Sequence, residues 1–215
     1  MIKDSVCKNV SNPFSSRFLE PGAIPFVFRD SESLASLADR IRSSLEAPTK
    51  HRVKLAIVGP HGTGKSTLLR HLSEHLDCTA TVLHATSNKW IAIDEILKAM
   101  RRKQPCLIDG YEQLPLWGKT LLIARSKVNR VPLCVTSHRL PWDFELLWET
   151  RIDPQVETHV IDTLLADADP RVKSDLLDSQ DWEKSRQKHR ENLRESLFDM
   201  YDWWRDTVDE FSPSR

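Results

Sequence analysis

Short apolar runs alternate with segments of helical spacing through the middle of this chain. Val53-Lys54-Leu55-Ala56-Ile57-Val58 is aliphatic and β-branched, and reads as a buried strand. Thr67-Leu68-Leu69-Arg70-His71-Leu72 then reads as a helix, and Thr81-Val82-Leu83-His84-Ala85 as a second strand. Trp90 to Arg102 carries Ile91, Ile93, Ile96, Leu97 and Met100 on one helical face. Pro105-Cys106-Leu107-Ile108-Asp109 is a short buried strand ending in an acid, and Leu116 to Val128 is a further helix. Val131-Pro132-Leu133-Cys134-Val135-Thr136 is the fourth strand, Pro141 to Pro154 a Trp-containing connection, and Val156-Glu157-Thr158-His159-Val160-Ile161 a fifth strand. Strands alternating with helices imply an α/β fold: a parallel sheet with helices on both faces.

The two ends of the chain differ from this middle. Residues 1–30 have little periodicity and contain Pro13, Pro21, Gly22 and Pro25, so they read as an extended arm. Within the arm, Ala23-Ile24-Pro25-Phe26-Val27-Phe28 is apolar enough to dock on the core. Ser31 to Leu45 has Leu34, Leu37, Ala38, Ile41 and Leu45 at helical spacing, with Ser31 or Ser33 as its cap, and Pro48-Thr49-Lys50 closes it. Beyond the sheet the chain reads as all-helical. Arg171 to Leu177 is a short helix and a longer helical region starts at Asp181. There Leu193, Leu197, Met200, Tyr201, Trp204, Val208 and Phe211 form one stripe, read as core packing rather than a partner-helix face. The expected division is an arm and helix (1–49), a core (50–165) and a small C-terminal helical lid (166–215).

Composition narrows the class. The 215 residues are 40% hydrophobic and 29% charged, ordinary for a globular protein. No apolar run approaches the ~20 residues of a membrane span, and Met1-Ile2-Lys3-Asp4-Ser5 lacks the apolar core of a secretory signal. Cys7, Cys78, Cys106 and Cys134 form no C-x-x-C pair; Cys106 and Cys134 lie in strand-like apolar runs and are expected as buried thiols in a reducing cytoplasm. The formal net charge of zero hides an asymmetry. Residues 50–139 hold 15 Lys+Arg against 6 Asp+Glu, whereas residues 151–215 hold 10 against 16. A basic core suits a bound nucleotide; the neutral total gives no support to a nucleic-acid surface, and no membrane is indicated.

The chemistry concentrates in Gly59-Pro60-His61-Gly62-Thr63-Gly64-Lys65-Ser66-Thr67, which satisfies G-x-x-x-x-G-K-[ST] between a strand and a helix. Glycines let backbone N–H groups close around phosphates, Lys65 reaches the β- and γ-phosphates, and the Ser66 hydroxyl ligates Mg²⁺. An ordinary glycine-rich turn has no need of Lys-Ser at its exit. In a parallel sheet, ligands bind at the carboxyl ends of the strands. Gly59, Asp109 and Thr136-Ser137 all fall at such ends and are expected to converge.

These features together resemble the additional-strand P-loop ATPases, the superfamily of the AAA+ ATPases and the STAND/NACHT signalling ATPases. The resemblance covers roughly residues 50–210. Cys106 to Leu114 looks like a Walker B segment, with an Asp-Gly-x-acid shape closer to the NACHT form. It implies that Asp109 holds Mg²⁺ through a water and that Glu112 is the second acid. The glutamate that follows in the family is Gln113 here, which can position a water but cannot deprotonate it. Leu133 to Arg139 looks like a sensor 1 strand, with Thr136, Ser137 and His138 as candidates for watching the γ-phosphate. His138 reads equally as a surface histidine at a strand end. Asn192-Leu193-Arg194-Glu195 is similar to the Gly-Asn-x-Arg-Glu segment of AAA+ lids, with Glu191 in place of the glycine. That implies a sensor 2 role for Arg194; a surface i,i+4 pair is the simpler account.

The resemblance thus implies an ATP- and Mg²⁺-binding ATPase with slow or partner-stimulated hydrolysis coupled to lid closure. Its catalytic residues would be Glu112 and Lys65. An ATP-dependent switch or adaptor with little hydrolysis stays open, favoured by Gln113. So does a small-molecule kinase, for which Arg101-Arg102 and Arg139 would serve. Strand order separates the ATPase branch from the kinase–GTPase branch. A protein partner or a second copy of the chain also stays open.

Overall fold

The computed structural model describes residues 11–28, 32–46 and 54–211. Cys7, Ser31, Pro48-Thr49-Lys50 and Val53 lie outside the described residues, as do the side chains of Leu45, Val208 and Phe211. The chain forms two compact units: Phe28–Arg151, and Met1–Val27 together with Ile152–Arg215. The first helix therefore belongs with the sheet, and the arm with the C-terminal helices.

The larger unit holds a five-stranded, all-parallel sheet. Its strands are β1 (Lys54–Val58), β2 (Ala80–Val82), β3 (Cys106–Asp109), β4 (Leu133–Ser137) and β5 (Glu145–Glu149), in the spatial order β2-β3-β4-β1-β5. Its helices are α1 (Leu34–Glu46), α2 (Lys65–His75), α3 (Lys89–Arg101) and α4 (Leu116–Asn129). Side chains alternate across the pleat. Ala56, Val58, Cys106, Ile108, Leu133 and Val135 share a core with Ile93, Ile96 and Met100 of α3 and Leu122 of α4. The intervening Leu55, Ile57, Leu107 and Cys134 are buried outside that cluster, on the face that α2 covers with Leu68, Leu69 and Leu72. Helices thus cover both faces.

Local chemistry explains the helix starts. The Ser33 hydroxyl accepts from Ser36 N at 3.2 Å, so Ser33 caps α1. Asn88 Oδ1 caps α3, accepting from the amides of Trp90 and Ile91. Between β4 and β5 the chain crosses without a helix, and Phe144 of that crossing packs on Tyr111 with ring centroids 5.3 Å apart.

One strand assignment is corrected. Residues 156–161 are not a strand but part of α5 (Pro154–Leu164). Asp153 caps that helix, accepting from Val156 N at 2.9 Å, and Pro154 occupies the first turn. The cap and the Pro outweigh the β-branched composition of Val156 to Ile161. The fifth strand lies instead inside the Trp-containing connection, where β5 buries only Leu147 and pairs with β1 alone. Such a short, acid-flanked edge strand carries little hydrophobic signal.

The smaller unit continues with α6 (Pro170–Asp178), α7 (Gln180–His189) and α8 (Leu193–Phe211). Leu193, Leu197, Met200 and Trp204 are buried as expected, but Tyr201 is exposed, one step off the stripe. Phe14 and Leu19 of the arm are buried against this stripe, and Phe14 meets Trp204 edge-on at 6.0 Å. The arm thus docks on the C-terminal helices, with Ile24 partly buried beside them, while Phe28 meets Trp148 of β5 edge-on.

Candidate functional site

β1 delivers the chain into the glycine loop at its carboxyl end. Gly59, Gly62 and Gly64 have φ of 153°, 70° and 92°, all in the region that favours glycine. At Gly59 the reason is also steric: an added Cβ would stand 2.3 Å from Thr150 Oγ1 and 2.4 Å from Thr150 O. Thr150, buried just past β5, is a residue that sequence reasoning missed. Its amide donates to Val58 O at 2.8 Å, and its hydroxyl lies 2.6 Å from the Thr63 hydroxyl. Thr63 in turn donates to Pro60 O at 2.9 Å. This buttress joins residues nearly ninety positions apart, so no local pattern announces it.

Gly64 stands at the N-cap of α2, and Lys65 and Ser66 open the helix, whose N-terminal amides form an anion-favouring end. Lys65 is only 8% exposed. Its ammonium donates to Gly59 O at 2.7 Å and to Pro60 O. Burial pulls its pKa below the ordinary lysine value, and the charges of Glu112 and Asp109 oppose that shift. Ser66 and Thr67 follow in the first turn, half-buried.

β3 ends at Asp109 beside this loop. Thr136 Oγ1, on neighbouring β4, donates to Asp109 Oδ1 at 2.5 Å and accepts from Gly110 N at 2.8 Å. Gly110 sits at φ 78°, where a Cβ would meet Leu83 O at 2.7 Å. The sharp turn swings Tyr111–Gln113 into a 3-10 turn that sends Glu112 and Gln113 to different surroundings. Glu112 is half-buried, with Oε2 shielded and without a hydrogen-bond partner, whereas Gln113 is exposed.

Of the sensor 1 candidates, Thr136 is engaged with Asp109, and Ser137 is buried in register with Val58. His138 is half-buried and turns toward the loop. Its Nε2 is 3.3 Å from Glu112 Oε1 and its Nδ1 is 3.4 Å from Gly59 O. The rings of His138 and His61 lie 3.9 Å apart. Desolvation, then the neighbouring His138 and Lys65, push the His61 pKa below its ordinary value, against the pull of Glu112.

Lys65, Glu112, Asp109, Thr136, Ser137 and His138 thus gather at the carboxyl ends of β1, β3 and β4, beside the loop formed by Gly59 to Gly64. Arg194 belongs to the other unit. It is exposed on the first turn of α8, with its guanidinium 5.3 Å from the centre of the Phe198 ring. Asn192 beside it caps α8, accepting from Glu195 N at 3.3 Å. Burial raises the thiol pKa of Cys106 to about 12 and, with Asp77, that of Cys78 to about 11; the buried Cys134 is raised as well. Thiolate chemistry at these three cysteines is therefore suppressed at neutral pH.

Among the described residues there is no group of three or more His, Cys, Asp or Glu arranged to hold a metal. A hard cation that keeps most of its waters needs fewer protein ligands than that. No helix among them is long and apolar enough to cross a membrane. No protein-family model matches the chain, and no curated protein sequence matches it.

Proposed function

We propose that this chain is a Mg·ATP-binding ATPase of the additional-strand P-loop class. The observation that carries the reading is the sheet order. β4 lies between β1, which bears the glycine loop, and β3, which bears Asp109. A strand in that place is what gives the class its name. The same order weighs against the small-molecule kinase reading.

The residues fit the group they would hold. Ser66 and Asp109 offer the hydroxyl and carboxylate oxygens that Mg²⁺ favours. Lys65 would exchange its two loop carbonyls for phosphate oxygens. Mg·ATP, when bound, supplies the phosphoanhydride bond and an ion that neutralises charge on the phosphates. Glu112 is the general base: its Oε2 has no hydrogen-bond partner within the fold, so it is not committed to another group. Gln113, exposed and unable to deprotonate water, is not needed for that role.

The test is calorimetry with Mg·ATP beside single-turnover hydrolysis. Lys65→Ala should weaken ATP roughly 10- to 100-fold, the worth of a buried charge-assisted hydrogen bond. Glu112→Gln should keep the affinity and abolish hydrolysis. Unchanged affinity in Lys65→Ala sinks the reading of the loop as a phosphate site. Tight ATP binding without hydrolysis in the unaltered protein would favour the switch instead.

A further inference from the structure

His138 touches three parts of the site at once. It meets the Glu112 carboxylate through Nε2 at 3.3 Å, the Gly59 carbonyl at the start of the loop through Nδ1 at 3.4 Å, and the His61 ring on the loop at 3.9 Å. Glu112 is correspondingly asymmetric: Oε1 faces the imidazole, and Oε2 is buried without a partner. A carboxylate with one oxygen paired against a fixed neighbour turns less freely about its last side-chain bond. Its other oxygen then keeps both lone pairs for an incoming proton. Thr136 cannot share this task, because its hydroxyl is committed to Asp109 and Gly110.

We propose that His138 is a positioning residue for ATP hydrolysis: by holding Glu112 Oε1 it leaves Oε2 to take the proton of the attacking water, and through its ring contact with His61 it ties that orientation to the phosphate loop. The proposal rests on the ATPase reading above. In the step it serves, the water oxygen bonds to the γ-phosphorus as its proton passes to Glu112 Oε2. The bond from the γ-phosphorus to the bridging oxygen breaks, and ADP leaves with the electron pair. Glu112 later releases the proton to solvent. This differs from a γ-phosphate sensor, which would bind ATP directly. A positioning residue acts on turnover, a sensor on affinity.

The experiment uses the full chain with Mg·ATP. His138→Ala should slow single-turnover hydrolysis roughly 10- to 100-fold, a part of what a general base contributes, while the ATP dissociation constant changes less than about threefold. His138→Gln, whose amide N–H reaches the same carboxylate oxygen, should recover part of the rate. Glu112→Gln with His138→Ala should be no slower than Glu112→Gln alone, because the two act as one unit. A readout independent of turnover is the ¹⁵N resonance of the His138 ring, which should move in Glu112→Gln. Several outcomes overturn the proposal: a wild-type rate in His138→Ala, a loss of ATP affinity that matches its loss of rate, additive losses in the double variant, or an unmoved ring resonance. If the unaltered protein binds no ATP, the ATPase reading fails. If it binds ATP and does not hydrolyse it, the positioning role alone fails.

Discussion

Thr136→Val separates a strut from a ligand-contacting group. Thr136 is 2% exposed, and valine fills the same space without the hydroxyl. Two bonds disappear: the one donated to Asp109 Oδ1 at 2.5 Å and the one accepted from Gly110 N at 2.8 Å. A hydrogen bond to a charged group contributes about 1.5–3 kcal/mol, and a stranded amide costs about 1–3 kcal/mol. Part of this is recovered, because Gly110 and Asp109 are only half-buried and can turn to water. A net destabilisation of the turn by about 2 kcal/mol is therefore expected. Hydrogen exchange at the Gly110 amide reads it directly, and should speed up roughly 30-fold if the turn opens locally. Mg²⁺-dependent ATP affinity should fall about 10-fold, as when an outer partner of a metal-holding carboxylate is removed. Thr136→Ser keeps the hydroxyl and should restore both. If Gly110 exchanges at the wild-type rate in Thr136→Val, the hydroxyl does not hold this turn. If ATP affinity falls equally with and without Mg²⁺, Thr136 acts on the nucleotide rather than on Asp109.

Two further predictions concern the helical unit. Phe14→Ala empties a fully buried site against Trp204, and should destabilise that unit by about 3–5 kcal/mol; faster hydrogen exchange through α8 would report it, and unchanged protection would refute docking of the arm there. Asp199 gathers bonds from Lys188, His189 and Ser185 between α7 and α8. Burial pushes its pKa up, and the hydrogen bonds from these three together overcome that and hold it below the ordinary 3.8. Because the folded value is the depressed one, the stabilisation is present above about pH 3.8 and is lost as pH falls further. Asp199→Asn should therefore melt earlier than the unaltered protein at neutral pH, with the gap closing below pH 3.8; a gap independent of pH would mean that the charge plays no part.

Much of the architecture was legible from local pattern because the signals are themselves local. The glycines of the loop are demanded by their own φ angles, and Asp109 ends a strand whose four residues form one apolar run closed by an acid. The misread segment is equally instructive. Val156 to Ile161 looked like a strand through its β-branched residues, and the Asp153-Pro154 start signal just before it decided for a helix. β5 went unseen because an edge strand with one buried residue has almost no alternation to detect.

The amino-acid sequence by itself determined an α/β chain with a strand–glycine loop–helix unit, an acid at the end of a later strand, and an apolar stripe near the carboxyl end. Each follows from residues within one or two turns of one another, where spacing and backbone preference suffice. Only the tertiary structure decided that β4 inserts between β1 and β3, that Thr150 buttresses Gly59, that Phe14 is buried against α8, and that His138 meets Glu112. Those pairings join segments far apart in the chain. They depend on which faces bury best together and on how each crossover closes, and no local periodicity carries that information.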